Sequence, residues 1–126
     1  MAVRKILIVE DQALARTYLC SCVEKCRDCE VAGTLTRADA ALRRCGEGHI
    51  DLILMDIQMP IMDGYEATKQ IRALPDKRLA QLPIIAVSAN AFEEDKKASL
   101  AAGMDGHIAK PINVPDLFAL MQKLIK

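Results

Sequence analysis

The sequence predicts an α/β domain: five short parallel strands alternating with helices that cover both faces of the sheet. Three observations predict it. Apolar runs of strand length recur along the chain, each bounded by polar or turn residues. Segments with helical spacing lie between them. The 126 residues are 52% hydrophobic, enough for one self-sufficient core. That core is aliphatic, because only Tyr18, Tyr65, Phe92 and Phe118 are aromatic.

The first strand is Lys5–Val9. Ala13–Cys26 follows as a helix, with apolar residues at 15, 19, 22, 23 and 26. Val31–Leu35 is the second strand and Ala38–Cys45 the second helix. Asp51–Met55 is the third strand; the turn Met62-Asp63-Gly64 then leads into a helix over Tyr65–Leu74. Pro83–Val87 is the fourth strand. The helix Glu93–Ala102 stops at Gly103, a residue suited to the left-handed turn that ends helices. Gly106–Ala109 is the fifth strand. Val114–Ile125 closes the chain, with Pro115 in its first turn. Right-handed crossovers leave few topologies for this order.

Composition excludes several classes. With 17 basic and 17 acidic residues the formal net charge is zero, which gives no electrostatic footprint for nucleic acid. The hydrophobic content is too high for a disordered chain. No apolar run approaches the length of a membrane span. The run Ile6-Leu7-Ile8-Val9 meets Glu10 and Asp11, which a signal peptide would not tolerate. The five cysteines are therefore expected to be reduced, in the cytoplasm. Four of them form the cluster Cys20, Cys22, Cys26, Cys29. Cys22 and Cys26 share a helical face with Ala15, Leu19 and Val23, so they are expected to fill the core. A metal or redox role for the cluster is the alternative.

Chemistry is expected where the strands end. Glu10 and Asp11 close the first strand, Asp56 the third, Ser88 the fourth and Lys110 the fifth. In an open parallel sheet, ligands sit beyond the carboxyl ends of the strands, where strand order reverses. Three carboxylates there would repel one another, and a hard divalent cation relieves the repulsion. Mg²⁺ suits one or two carboxylates, waters and phosphate oxygens; calcium wants more oxygens, and zinc wants His or Cys, absent from these ends. Asp56, on the central strand, is ionised near neutrality and needs no general base to attack phosphorus. Lys110, the Ser88 hydroxyl and the cation can each take one peripheral phosphoryl oxygen. A lone aspartate at a strand end is more often a helix cap; the signal is the whole set in order.

With these residues the chain resembles the receiver domain of two-component response regulators along essentially its whole length. The resemblance lies in Ile6-Leu7-Ile8-Val9-Glu10-Asp11, Leu54-Met55-Asp56-Ile57-Gln58-Met59-Pro60 with Met62-Asp63-Gly64, Ala86-Val87-Ser88-Ala89, and Lys110-Pro111. It implies a flavodoxin-like (βα)5 doubly wound parallel sheet of strand order 2-1-3-4-5. It implies Asp56 as phosphoacceptor, with Asp11, Asp56 and the Gln58 backbone carbonyl on Mg²⁺ and Glu10 reaching it through water. Ser88 would move to the phosphoryl group, Lys110 would pair with it, and the Lys110–Pro111 peptide would be cis. The Asp63-Gly64 turn would shape the wall beside the site. Gln58 and Asn90 would tune water access.

Two positions depart from the usual pattern. Glu10 stands where the family often has Asp, and His107 stands at the switch position often held by Tyr or Phe. His107 is expected to turn inward when Ser88 shifts, and its protonation to bias signalling near neutral pH. The wording around Asp56, with Ala89-Asn90-Ala91 and Ala101-Ala102-Gly103-Met104-Asp105, is especially similar to receivers of hybrid sensor histidine kinases. A free-standing regulator and an excised receiver both fit.

The implied partner is a sensor histidine kinase or a histidine phosphotransfer protein, docking against the first helix. The surface that responds is the fourth predicted helix, fifth strand and fifth helix. Residues 1–126 are expected to form one domain, monomeric or weakly dimeric, without direct contact to nucleic acid or membrane and with no output domain after Lys126. It would not be an enzyme beyond catalysing its own phosphorylation and dephosphorylation. Competing readings are a phosphorylation-independent interaction module and an Mg²⁺ phosphohydrolase. The latter usually has a second acid two residues after its nucleophile, where this chain has Gln58. A cobalamin or flavin protein of similar architecture lacks its His or Gly-rich loops here.

Overall fold

A computed structural model of the chain describes residues 3–37, 39–45, 49–57, 63–88 and 93–125. Its strands are β1 (Arg4–Val9), β2 (Cys29–Leu35), β3 (Leu52–Asp56), β4 (Ile84–Ser88) and β5 (Gly106–Ala109). They form one sheet in the order β2-β1-β3-β4-β5, and every pairing is parallel. The helices are α1 (Ala13–Glu24), α2 (Asp39–Cys45), α3 (Gly64–Arg72), α4 (Lys77–Ala80), α5 (Glu93–Ala102) and α6 (Val114–Leu124). None among the described residues is long and apolar enough to cross a membrane.

Two-residue alternation along the strands builds two cores. Leu7, Val9, Ile53, Met55, Ile84 and Ala86 face Ala41 of α2 and Ala67 and Ile71 of α3. Ile6, Ile8, Leu52, Leu54, Ile85 and Val87 face Leu19, Cys22 and Val23 of α1 and Leu117 and Met121 of α6. Both faces of β1, β3 and β4 are covered, which is why those strands read as unbroken apolar runs. The β1–β2 register slips between Ile6 and Leu7, whose partners are Val31 and Gly33; Ala32 is the extra residue.

The sequence-predicted elements all form; β2 begins two residues early at Cys29, β3 and β4 each sit one residue later than expected, α3 runs Gly64–Arg72 instead of Tyr65–Leu74, and two further differences have a plain physical cause. α4 was not expected. Asp76 caps this one-turn helix by accepting from the amides of Arg78 and Leu79 at 2.9 and 3.4 Å, a local polar signal inside a charged stretch with no apolar period. And α1 ends at Glu24, not Cys26. The Cys26 amide donates instead to the Val23 carbonyl at 3.0 Å as the chain turns towards β2. Cys22 fills the core as expected, at 1% exposure, but Cys26 lies beyond the helix and is half-buried. The expected caps form: Asn113 caps α6 just before Pro115, and Gly103 stops α5 with φ 104°.

A candidate acidic phosphoryl site

The first strand delivers two carboxylates. Glu10, directly after β1, is completely buried; Asp11 follows, half-buried. Asp56, the last residue of β3, is 6% exposed. Adjacent parallel strands bring the three together: one oxygen from each of Glu10, Asp11 and Asp56 lies within 4.8 Å of the others. Asp11 is not the cap of α1. Gln12 takes that position, without a side-chain capping bond. The Asp11 Oδ1 is buried and makes no hydrogen bond among the described residues.

Lys110, after β5, closes the rim. Its Nζ donates to Glu10 Oε1 at 2.7 Å, while Glu10 Oε2 accepts from the Gln12 amide at 3.3 Å. Burial pushes the Glu10 carboxyl up, but a side-chain hydrogen bond with Asp56, the Lys110 ammonium and the Gln12 amide together hold it below the ordinary value.

Ser88 ends β4 at 1% exposure. Its Oγ lies 2.9 Å from His107 Nε2. His107 sits on β5 opposite Ala86, and Ser88 opposite Ala109, so the contact runs diagonally across the two strands. The ring expected to turn inward when Ser88 shifts is thus already within hydrogen-bond distance of Ser88. Burial, then the nearby Lys96, lowers its pKa against the opposing pull of Asp95, so its titration moves to the acid side of 6.5. The Lys110–Pro111 peptide is cis. Gln58 and Asn90 lie outside the described residues.

Two residues that sequence reasoning passed over, Arg16 and Tyr18, help to build the rim, and a third, Gly64, was expected there. Arg16 Nη1 donates to the carbonyls of Glu10 and Asp11 at 3.2 and 3.3 Å, pinning the backbone that carries both acids. Its signal was only its place one turn into the helix behind them. Tyr18 Oη donates to the Ile112 carbonyl and accepts from the Ile112 amide, both at 3.0 Å, two residues past Lys110. No local pattern announces a contact across 94 positions. Gly64, expected with Asp63 to shape the wall beside the site, begins α3 against the end of β3. A Cβ there would lie 2.6 Å from the Asp56 carbonyl oxygen and 3.0 Å from Ile57 Cα.

A parallel five-stranded sheet of this order, with acids, hydroxyl and ammonium at its carboxyl rim, defines a receiver-type fold. Residues 6–122 match the family model of the response regulator receiver domain, and the chain belongs to that family of two-component signalling domains. It is 35% identical over 122 residues to the hybrid signal transduction histidine kinase L of Dictyostelium discoideum, covering 94% of this chain and 7% of that protein. It is 31% identical over 121 residues to the two-component response regulator ORR41 of rice (Oryza sativa subsp. japonica), covering 94% of this chain and 92% of that one. Its fold superposes on the receiver domain of the sensor histidine kinase PA1611 from Pseudomonas aeruginosa with a TM-score of 0.84, 34% identity and 98% of each chain covered. That structure holds a magnesium ion coordinated in its active site cleft.

Proposed function

We propose that residues 1–126 act as one phosphoacceptor unit, taking a phosphoryl group from a partner's phosphohistidine onto Asp56. The observation that carries this reading is the convergence of Glu10, Asp11 and Asp56 within 4.8 Å, with Lys110 held on Glu10 at 2.7 Å. The donor set fits Mg²⁺: all three ligand types are hard carboxylates, and Asp11 Oδ1 is buried without a partner. Glu10, Asp11 and Asp56, with the Gln58 carbonyl, would hold the ion. When bound, Mg²⁺ would neutralise charge on the acids and on a phosphoryl oxygen.

The chain's own groups do the rest. An Asp56 oxygen attacks phosphorus as the P–N bond to the partner imidazole breaks. Lys110, released from Glu10, turns its ammonium to a phosphoryl oxygen, and Ser88 offers its hydroxyl to another. Movement of Ser88 breaks or redirects its bond to His107. That change reaches the face formed by α5, β5 and α6, where a cleft of about 560 Å³ is lined by His107, Lys96, Asn113 and Leu120. A shift of this kind needs contacts that differ between two states, and the Ser88–His107 bond is such a contact.

The partner in this reading is a sensor histidine kinase or a histidine phosphotransfer protein in the cytoplasm. Docking over α1 is supported by Leu14 and Tyr18, four residues apart on one face and 88% and 39% exposed. The reaction is confined to the domain's own carboxylate, with no diffusible substrate turned over. Intact mass after treatment with phosphoramidate tests this. The expected result is one added phosphoryl group per chain with Mg²⁺ and none without it, lost in Asp56→Asn. No label on the parent chain, or an undiminished label on Asp56→Asn, overturns the assignment; steady release of inorganic phosphate from small esters would mark a hydrolase instead.

A further inference from the structure

The end of the sheet opposite the acidic cluster carries a pair of cysteines. Between α1 and β2 the Cys29 amide donates to the Cys26 carbonyl at 3.3 Å. A turn closed this way holds its first and last Cα atoms within about 7 Å. Disulfides span Cα separations of about 4.4–6.8 Å, a range that overlaps the reach of such a turn. The two side chains also meet. Burial, and then a hydrogen bond to Cys26, push the Cys29 thiol up to about 12. Both cysteines are free and half-buried. They line a cleft of about 170 Å³ with Arg4, Asp28, Phe118 and Met121, open to a small reagent.

We propose that Cys26 and Cys29 form a reversible oxidation site, at which hydrogen peroxide converts the two thiols into an intramolecular disulfide. Cys29, whose thiol is pushed up, keeps its proton and is the resolving residue, and the Cys26 sulfur is the attacking atom. In the first step the Cys26 sulfur bonds to one peroxide oxygen and the O–O bond breaks. The Cys26 proton leaves with the departing hydroxide as water, and Cys26 is left as a sulfenic acid. In the second step the Cys29 sulfur attacks that of Cys26, the S–O bond breaks, and the hydroxyl departs with the Cys29 proton as a second water. Two thiols are oxidised and one peroxide is reduced. The neighbouring cysteines are less suited: Cys22 is 1% exposed, and burial with the nearby Glu24 raises the Cys20 thiol.

The test uses the full chain treated with hydrogen peroxide. Arg27 lies between the two cysteines, so trypsin separates their peptides when reduced and leaves them joined when bridged. The expected result is loss of two hydrogens per chain, joined peptides carrying Cys26 and Cys29, and full reversal by dithiothreitol. In Cys29→Ser, dimedone should trap a sulfenic acid on Cys26; in Cys26→Ser the dimedone adduct on this turn should be lost. Both variants should retain Asp56 labelling with phosphoramidate, which reports that they are folded. An unchanged mass, a bridge to another cysteine or between chains, or dimedone on Cys29 of the Cys26→Ser variant would overturn the proposal.

Discussion

Glu10 shows how one methylene matters at a phosphoryl site. Its arm spans from the end of β1 to the Lys110 ammonium while remaining fully buried. Without Lys110, Asp56 and the Gln12 amide, such a carboxyl would be driven neutral by its surroundings. His107 has the opposite problem, as a base that burial and Lys96 keep from protonating. The sign of its effect on stability follows. An unfolded histidine takes up its proton near pH 6.5, the native one only at lower pH, so the unfolded state binds more protons between those values. Stability is whole above the unfolded value and declines as pH falls towards the folded one. The melting temperature of the parent should therefore fall more steeply between about pH 7 and pH 5 than that of His107→Phe. Equal slopes, measured by circular dichroism, would remove this role from His107. The acids, the serine and the lysine were legible because strand ends are legible: each comes where a strand's run of apolar residues stops, whereas His107, inside β5, was found only through the family resemblance. The Ser88–His107 bond was not legible, since a diagonal contact depends on the register of β4 and β5.

At the scale of elements, the connections carry the information that periodicity lacks. Arg72, the last residue of α3, donates to the carbonyls of Gly103, Ala80 and Leu82 at 2.8–2.9 Å and pairs with Asp105 at 2.8 Å. Asp105 in turn accepts from the Ile84 amide at 2.9 Å. One guanidinium thus ties α3, α4, the entry to β4 and the turn before β5. Its five donors in a rigid fork suit a junction of carbonyls better than a lysine would. On the other side of the sheet, Tyr18 fixes the loop after Lys110 to α1. Tyr18→Phe deletes only the hydroxyl and should lower stability by about 1–2 kcal/mol in urea unfolding, from two lost hydrogen bonds. Because the loop it holds bears Lys110, labelling of Asp56 should also slow severalfold at a temperature where the variant is fully folded. A labelling rate equal to the parent's would reduce Tyr18 to a purely structural bond. Neither Arg72 nor Tyr18 stood out in the sequence, since each makes its partners from residues that only the fold brings near. The early end of α1 escaped for a related reason: Cys26 continues the apolar spacing, but its amide turns back to Val23.

At the scale of the whole molecule, five parallel strands impose a polarity on the chain. Every carboxyl end reaches one rim, so residues from 10 to 110 meet although the polypeptide between them winds around both faces. The fold class and strand number were readable because β3 and β4, each wholly buried, admit no polar residue before their ends. A cation bound to this rim but not to the unfolded chain should stabilise the whole domain, by about 2.7 kcal/mol at a concentration one hundred times its dissociation constant. The melting temperature should rise with added MgCl₂ and should rise less in Asp56→Asn. A shift unchanged by that substitution would place the ion elsewhere.

The same polarity sorts the termini. Arg4 and Ile125 border one cleft, on the side where the strands begin. The two described ends of the chain therefore lie together beneath the sheet, like two stems from one base. Cargo attached at either tip leaves the mouth above unobstructed, and a short peptide joining the tips should permit the ring to be reopened at a distant surface turn without disturbing the chemistry overhead.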